Sequence, residues 1–167
     1  MSGFTAQRAA AALPDSQSQP GDGDPLSFVS VTVAGQLIGI PILRIRDVFV
    51  FTAATPVPLA SPEIAGLINL RGRVIPIICA RTLLGLPDSG GGAELMVVTL
   101  ESGQELLGLM VDEVGDVIEL PASGRGKIPA NLDPRWARIG AAIWHLPAGL
   151  MIELDAGSLM RQTPLAA

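Results

Sequence analysis

The sequence predicts an all-β fold with a few short helices, built as two small β-units packed side by side, and three observations carry that expectation. Aliphatic residues dominate a 49% hydrophobic content of which only 4% of the chain is aromatic, with no Tyr. The 19 Gly and 14 Pro punctuate the chain at short intervals, which suits many short strands and tight turns better than a helical bundle. The chain also repeats itself. Gly39 to Phe49 aligns without gaps on Gly108 to Ile118, pairing Asp47 with Asp116, and the pattern of 67–84 recurs at 143–160, which sets Cys79 against Asp155.

Taken in order, residues 1–26 are rich in Ala, Ser, Gln, Pro, Gly and Asp and carry too little apolar surface to offset ordering, so they are expected to form a disordered tail. Phe28 to Val33 alternates and reads as a half-buried strand; Ala34-Gly35-Gln36 turns the chain and Leu37 to Ile40 pairs back. Ile42, Ile45 and Val48 recur at a spacing of three that fits a helical turn and an irregular strand equally. Ser61-Pro62 has the form of an N-cap followed by Pro at the first helical position, predicting a short helix to Ala65 that Gly66 ends. Leu67 to Leu70 and Val74 to Ile78 are strands of one hairpin, with Arg71-Gly72 between them and the glycine supplying a positive φ. Cys79 to Leu84 is a short helix closed by Gly85.

The glycines of 90–92 are expected to mark a flexible connection, dividing the chain into a first unit at 27–93 and a second at 94–161, with 162–167 as a C-terminal tail. Strands are predicted at 94–101 and 105–112, a loop with Pro121, Pro129 and Pro134 at 121–136, and strands at 139–144 and 150–154. Asp155 then caps a last short helix ending near Met160.

The formal charge is −5, divided as −2, +2 and −5 over residues 1–26, 27–93 and 94–161. An acidic chain without a Lys/Arg stripe is a poor fit for nucleic acid, and mildly opposed halves suit protein partners. No apolar run approaches the roughly 20 residues of a membrane span, and the Ala-rich patch near the start is too short for a signal peptide, so a cytoplasmic protein is expected without direct membrane insertion. One cysteine and one histidine cannot make an ordinary zinc site, and neither a metal nor a cofactor is expected. No nucleophile elbow, phosphate loop or Cys-x-x-Cys is present. Asp112 and Glu113, adjacent on a strand, point to opposite faces and do not converge as an acid and base. The competing functional reading is a small β-domain that binds or hydrolyses a ligand through Cys79 or His145.

The residues Val57-Pro58, Ala60, Pro62, Ile64, Gly66-Leu67, Asn69-Leu70-Arg71-Gly72 and Val74-Ile75-Pro76, then Gly108 to Asp112, Val114 and Asp116-Val117, then Leu154-Asp155 before Leu159, together resemble the CheW family of chemotaxis coupling proteins. The resemblance covers about 27–161. It implies two five-stranded β-barrels, no catalysis, and an adaptor that joins the cytoplasmic tip of transmembrane chemoreceptors to the regulatory domain of the histidine kinase CheA in a signalling array. Carried over by position, it implies a kinase-facing patch at Val29, Ile42 and Ile45 and a receptor-binding groove at Asp47, Gly66, Asn69 and Arg71, with Asp47 and Arg71 paired. The chain departs from the family at Cys79-Ala80, where members often have Asp-Leu and so a capping carboxylate.

Overall fold

The computed structural model describes residues 24–87 and 94–162. The greater part of the expected N-terminal tail, the glycine connection and residues 163–167 lie outside that set.

Among the described residues ten strands form two five-stranded sheets. The strands are β1 (Pro25–Val33), β2 (Gln36–Pro41), β3 (Ile45–Val50), β4 (Ile64–Leu70), β5 (Arg73–Cys79), β6 (Met96–Ser102), β7 (Glu105–Val111), β8 (Glu113–Pro121), β9 (Gly140–Leu146) and β10 (Gly149–Leu154). Three short helices, α1 (Ala80–Leu83), α2 (Pro134–Ile139) and α3 (Ala156–Gln162), close the list, with single 3-10 turns at Ile42–Arg44 and Ala122–Gly124. Among the described residues no helix is long and apolar enough to cross a membrane.

One sheet has the order β8-β1-β2-β10-β9 and the other β3-β6-β7-β5-β4. The two orders are the same order, with β1–β5 exchanged for β6–β10. Register repeats with it: Ile77 pairs with Gly108 on the parallel β5–β7 seam, and Glu153 with Gly39 on the parallel β10–β2 seam. Both β4–β5 and β9–β10 carry a bulge at the corresponding place, between Ile64 and Gly66 and between Glu153 and Leu154. The internal repeat in the sequence is therefore a repeat in space.

The boundary expected near residue 93 does not separate the sheets. Each half of the chain gives its first hairpin to the sheet completed by the other half, so β1 and β2 lie with β8, β9 and β10. Self-similarity records that two units are alike, and is silent on whether their strands pair within a unit or across units.

Neither sheet closes into the expected barrel. A single antiparallel bridge reaches across each open side: Thr55, beyond β3, exchanges two backbone hydrogen bonds of 2.8 Å with Leu67 of β4, and Gly126, beyond β8, exchanges two of 2.8 and 3.0 Å with Ile143 of β9. Pro56 and Pro58 follow the first bridge and Pro129 the second.

The main core fills the space between the sheets. Val31, Ile38, Ile40, Ile152 and Leu154 from one meet Ile78, Val98, Leu100, Leu109 and Val111 from the other, all buried, with Trp136 and Leu159 of the helices sealing the end. A smaller cluster of Phe28, Trp144 and Met151 lies in the first sheet, where the Phe28 and Trp144 rings meet edge to face at 5.5 Å. Leu26 packs on this cluster and pairs with Leu120, so β1 begins at Pro25, inside the expected tail.

Local expectations fare unevenly. The central hairpin, the Cys79-initiated helix and the Asp155-capped helix are present. Ser61 to Glu63 makes a turn rather than a helix, Ser61 O accepting from Ile64 N at 3.0 Å, because Ile64 already pairs with Ile78. Helix α2 begins within the expected loop and runs past it to the start of the expected strand: Asp133 accepts a hydrogen bond from Arg135 N at 2.8 Å and Pro134 takes the first helical position. Asp155 likewise caps α3, accepting from Ser158 N at 3.1 Å, whereas Cys79 makes no side-chain cap. Replacing Cys79 with Asp should supply the missing bond and stabilise the fold by about 1 kcal/mol, read as a raised thermal midpoint.

Candidate functional site

The β4–β5 hairpin turns through Arg71 and Gly72, both at positive φ, 52° and 85°. That pair of signs is the mark of the tight turn whose twist matches its strands. The glycine does so without strain; the arginine is held there by the Asn69 side chain, whose Oδ1 accepts from Gly72 N at 2.9 Å. The turn thus holds the Arg71 backbone in one conformation and carries its guanidinium to Asp47.

Asp47 follows a bulge in β3, where the register against β6 shifts between Ile45 and Asp47. The two side chains meet as two forks: Arg71 Nη1 donates to Asp47 Oδ2 at 2.9 Å and Nη2 lies 2.8 Å from Oδ1. The Arg71 side chain is 75% exposed and that of Asp47 21%, so the pair sits on the surface with its carboxylate largely covered. The hydrogen bond to Asp47 and then its charge raise the Arg71 pKa above the usual guanidinium value. A planar fork of this kind fixes direction as well as charge, and a Lys would not reproduce it.

The other residues that the resemblance assigned to this groove are placed differently. Asn69 is exposed and braces the turn. Gly66 is buried at the β4 bulge with φ 149°, and a Cβ there would stand 2.5 Å from Thr55 O, so it presents no surface. Of the three apolar residues of the second patch, Val29 and Ile45 are half-buried against the core between the sheets. Ile42 is half-buried in the 3-10 turn, and its neighbour Leu43 is 83% exposed. Exposed Val48 and Val50 continue along the edge strand β3.

Two ionic clusters escaped the sequence reading. Arg81 on α1 holds Asp112, its Nε donating to Oδ1 at 2.8 Å, while Ala34 N of the β1–β2 turn donates to Asp112 Oδ2 at 2.8 Å. One carboxylate thereby ties together turns belonging to both sheets. Its pKa lies below the usual carboxylate value because Arg81 hydrogen-bonds it; burial opposes this, and the Ala34 amide adds to it. Glu153, 8% exposed, accepts from Arg125 Nε and Nη2 at 3.1 Å and from Trp144 Nε1 at 3.0 Å. The bond to Glu153, opposed by burial, raises the Arg125 pKa. These partners are far apart in sequence and leave no local pattern; Glu153 is the single charged residue in the apolar run of β10.

Cys79 ends β5 in one sheet and His145 lies exposed on β9 in the other. A nucleophile needs its base within hydrogen-bond reach, and this placement does not bring the two together.

Residues 27–163 match the model of the CheW-like domain family. The chain is 30% identical over 114 residues to the probable chemotaxis protein CheW of Rhizobium etli, covering 66% of this chain and 74% of that one. It is 30% identical over 91 residues to the chemotaxis protein CheW of Rhizobium meliloti, spanning 54% of this chain and 59% of its relative. The Thermotoga maritima protein of the same name is 28% identical over 134 residues, 80% of this chain and 87% of that one. Among solved structures, the scaffolding protein TtCheW from Thermoanaerobacter tengcongensis superposes with a TM-score of 0.71 at 25% identity, covering 78% of this chain and 89% of that chain. With the paired five-stranded sheets and the Asn-Leu-Arg-Gly turn in place on Asp47, these likenesses establish that the chain belongs to the CheW family.

Proposed function

We propose that this protein is a non-enzymatic adaptor that couples transmembrane chemoreceptors to the histidine kinase CheA, working in the cytoplasm at receptor arrays. The observation that carries this reading is the Arg71–Asp47 fork, built on a rigid turn and left three-quarters open on its arginine side. Such a pair contributes little to folding, because solvent screens an exposed ion pair. Its value is to hold a shaped, charged edge against which a receptor tip docks, with Asn69 bracing that edge and Gly66 allowing β4 to approach Thr55. The kinase is assigned to the apolar strip of Ile42, Leu43 and the outer parts of Val29 and Ile45.

In a reconstituted array of receptor cytoplasmic fragments and CheA, Arg71→Ala and Asp47→Ala should each weaken receptor binding about tenfold and leave kinase binding within about twofold. The double variant should be no worse than either single one, since each removes the same fork. Leu43→Glu should do the reverse, because a charge in a desolvated apolar interface is strongly disfavoured while an exposed substitution changes stability by no more than about 0.5 kcal/mol. Additive losses for Arg71 and Asp47, or equal loss toward both partners, would remove the groove assignment.

A further inference from the structure

The repeat leaves one aspartate uncovered. Asp116 on β8 is the counterpart of Asp47 on β3, and each lies at an irregularity in the pairing of its edge strand: Asp116 inside the slip between Val114 and Val117 in the β1–β8 ladder, Asp47 directly after the shift that begins at Ile45 in β3. Opposite Asp47 stands the turn Leu70-Arg71-Gly72-Arg73. Opposite Asp116 stands the turn Leu146-Pro147-Ala148-Gly149, equal in length and in register, with Leu146 pairing Gly149 as Leu70 pairs Arg73. Pro147 therefore occupies the place of Arg71.

Proline brings neither a charge nor an amide hydrogen, and its ring holds φ negative, so this turn cannot adopt the conformation of the other. What remains between the turn and the edge strand is a cavity of about 480 Å³, lined by Leu37, Asp116, Ile118, Glu119, Leu146 and Pro147 among others. Among the described residues the carboxylates of Asp116 and Glu119 have no hydrogen-bond or ion-pair partner. Asp47, with its arginine in place, is largely covered; Asp116 is exposed.

We propose that this cavity is a docking site for an arginine side chain carried by another protein, which fills from outside the position that Arg71 fills from within at the other sheet. The guanidinium pairs with Asp116 in the two-pronged manner that Arg71 adopts with Asp47, and its aliphatic stem lies on Leu37, Ile118 and Leu146. The acidic balance of the second half of the chain favours a basic partner. The site is separate from the receptor and kinase surfaces assigned above and does not depend on them.

Titration of the full chain with N-acetyl-arginine methylamide, followed by backbone amide chemical shifts, tests the proposal. Shifts should gather at Asp116, Ile118 and Leu146 with millimolar affinity, and the neutral citrulline and the lysine analogues should bind about tenfold more weakly, because one lacks the charge and the other the fork. Asp116→Asn, an exposed and isosteric change, should weaken the arginine analogue by about tenfold. A Pro147→Arg, Ala148→Gly variant should abolish binding by supplying a resident guanidinium, and its crystal structure should show that group on Asp116. Equal binding of the citrulline or lysine analogue, indifference to Asp116→Asn, shifts centred elsewhere, or no shifts up to about 50 mM would each overturn it.

Discussion

Asp112→Ala is expected to lower stability by about 3 kcal/mol and the thermal midpoint by about 6 to 12 °C, a loss larger than any surface ion pair explains. The Arg81 and Asp112 side chains are each 18% exposed, so removing the carboxylate deprives a largely buried guanidinium of two of its hydrogen bonds. It also strips the Ala34 amide of its acceptor, and with it a side chain that bonds the β1–β2 turn to the base of α1. The acid response follows from the lowered pKa. A carboxylate whose folded pKa lies below the unfolded value of about 3.9 contributes its full stability above that value and loses it as pH falls through the folded pKa. The gap between the parent protein and Asp112→Ala should therefore hold constant from neutrality to about pH 5 and shrink below about pH 4. Denaturant unfolding at several pH values checks both claims. A gap under about 1 kcal/mol at neutrality, or one that persists unchanged in acid, would show that the fold does not lean on this carboxylate.

The second large effect is expected at Gly66→Ala. Two costs coincide there: φ of 149° lies where side chains are strained, and the new Cβ would sit 2.5 Å from Thr55 O and 2.8 Å from the Cβ of Ala54. Backbone must move, and the bridge between Thr55 and Leu67 is what gives. We expect a loss of about 3 kcal/mol, with faster hydrogen exchange at the Thr55 and Leu67 amides. Gly72→Ala is the comparison, since its φ of 85° is also positive but nothing lies within 4 Å of its Cβ. It should cost about 1 kcal/mol, and a Gly66→Ala no worse than this would mean that strain alone acts at residue 66.

Much of this architecture was legible in the residues. Alternation announced β1 and β2, an Arg-Gly step between two aliphatic runs announced the central hairpin, and the Asp155 cap announced α3. The Asp47–Arg71 pair was reached through the resemblance, since nothing in the spacing of two residues on different strands brings them together. Elements that escaped did so for physical reasons. In β8 the pairing with β1 slips between Val117 and Val114, which breaks the two-residue alternation across Gly115 and Asp116. Helix α2 was obscured because Pro134 was counted as a loop marker, although proline directly after an Asp is also how a helix opens. Arg81 and Asp112 meet across 31 positions, and no local rule reports a contact at that range.

The exchange of hairpins between the two sheets also orders events in time. During synthesis β1 and β2 emerge first, yet β2 must wait for β10, with Glu153 bonding alongside Gly39, and β1 must wait for β8. A two-stranded hairpin is marginal in water by itself, so the nascent chain carries unpaired apolar edges until its last strand leaves the ribosome. Sheets assembled from such distant partners fold in about milliseconds to seconds, and the intermediate stage is the one at which wrong copies are able to pair. Two molecules synthesised close together are thus offered each other's first hairpin in place of their own, and a domain-swapped dimer is the characteristic misfolded product of this topology.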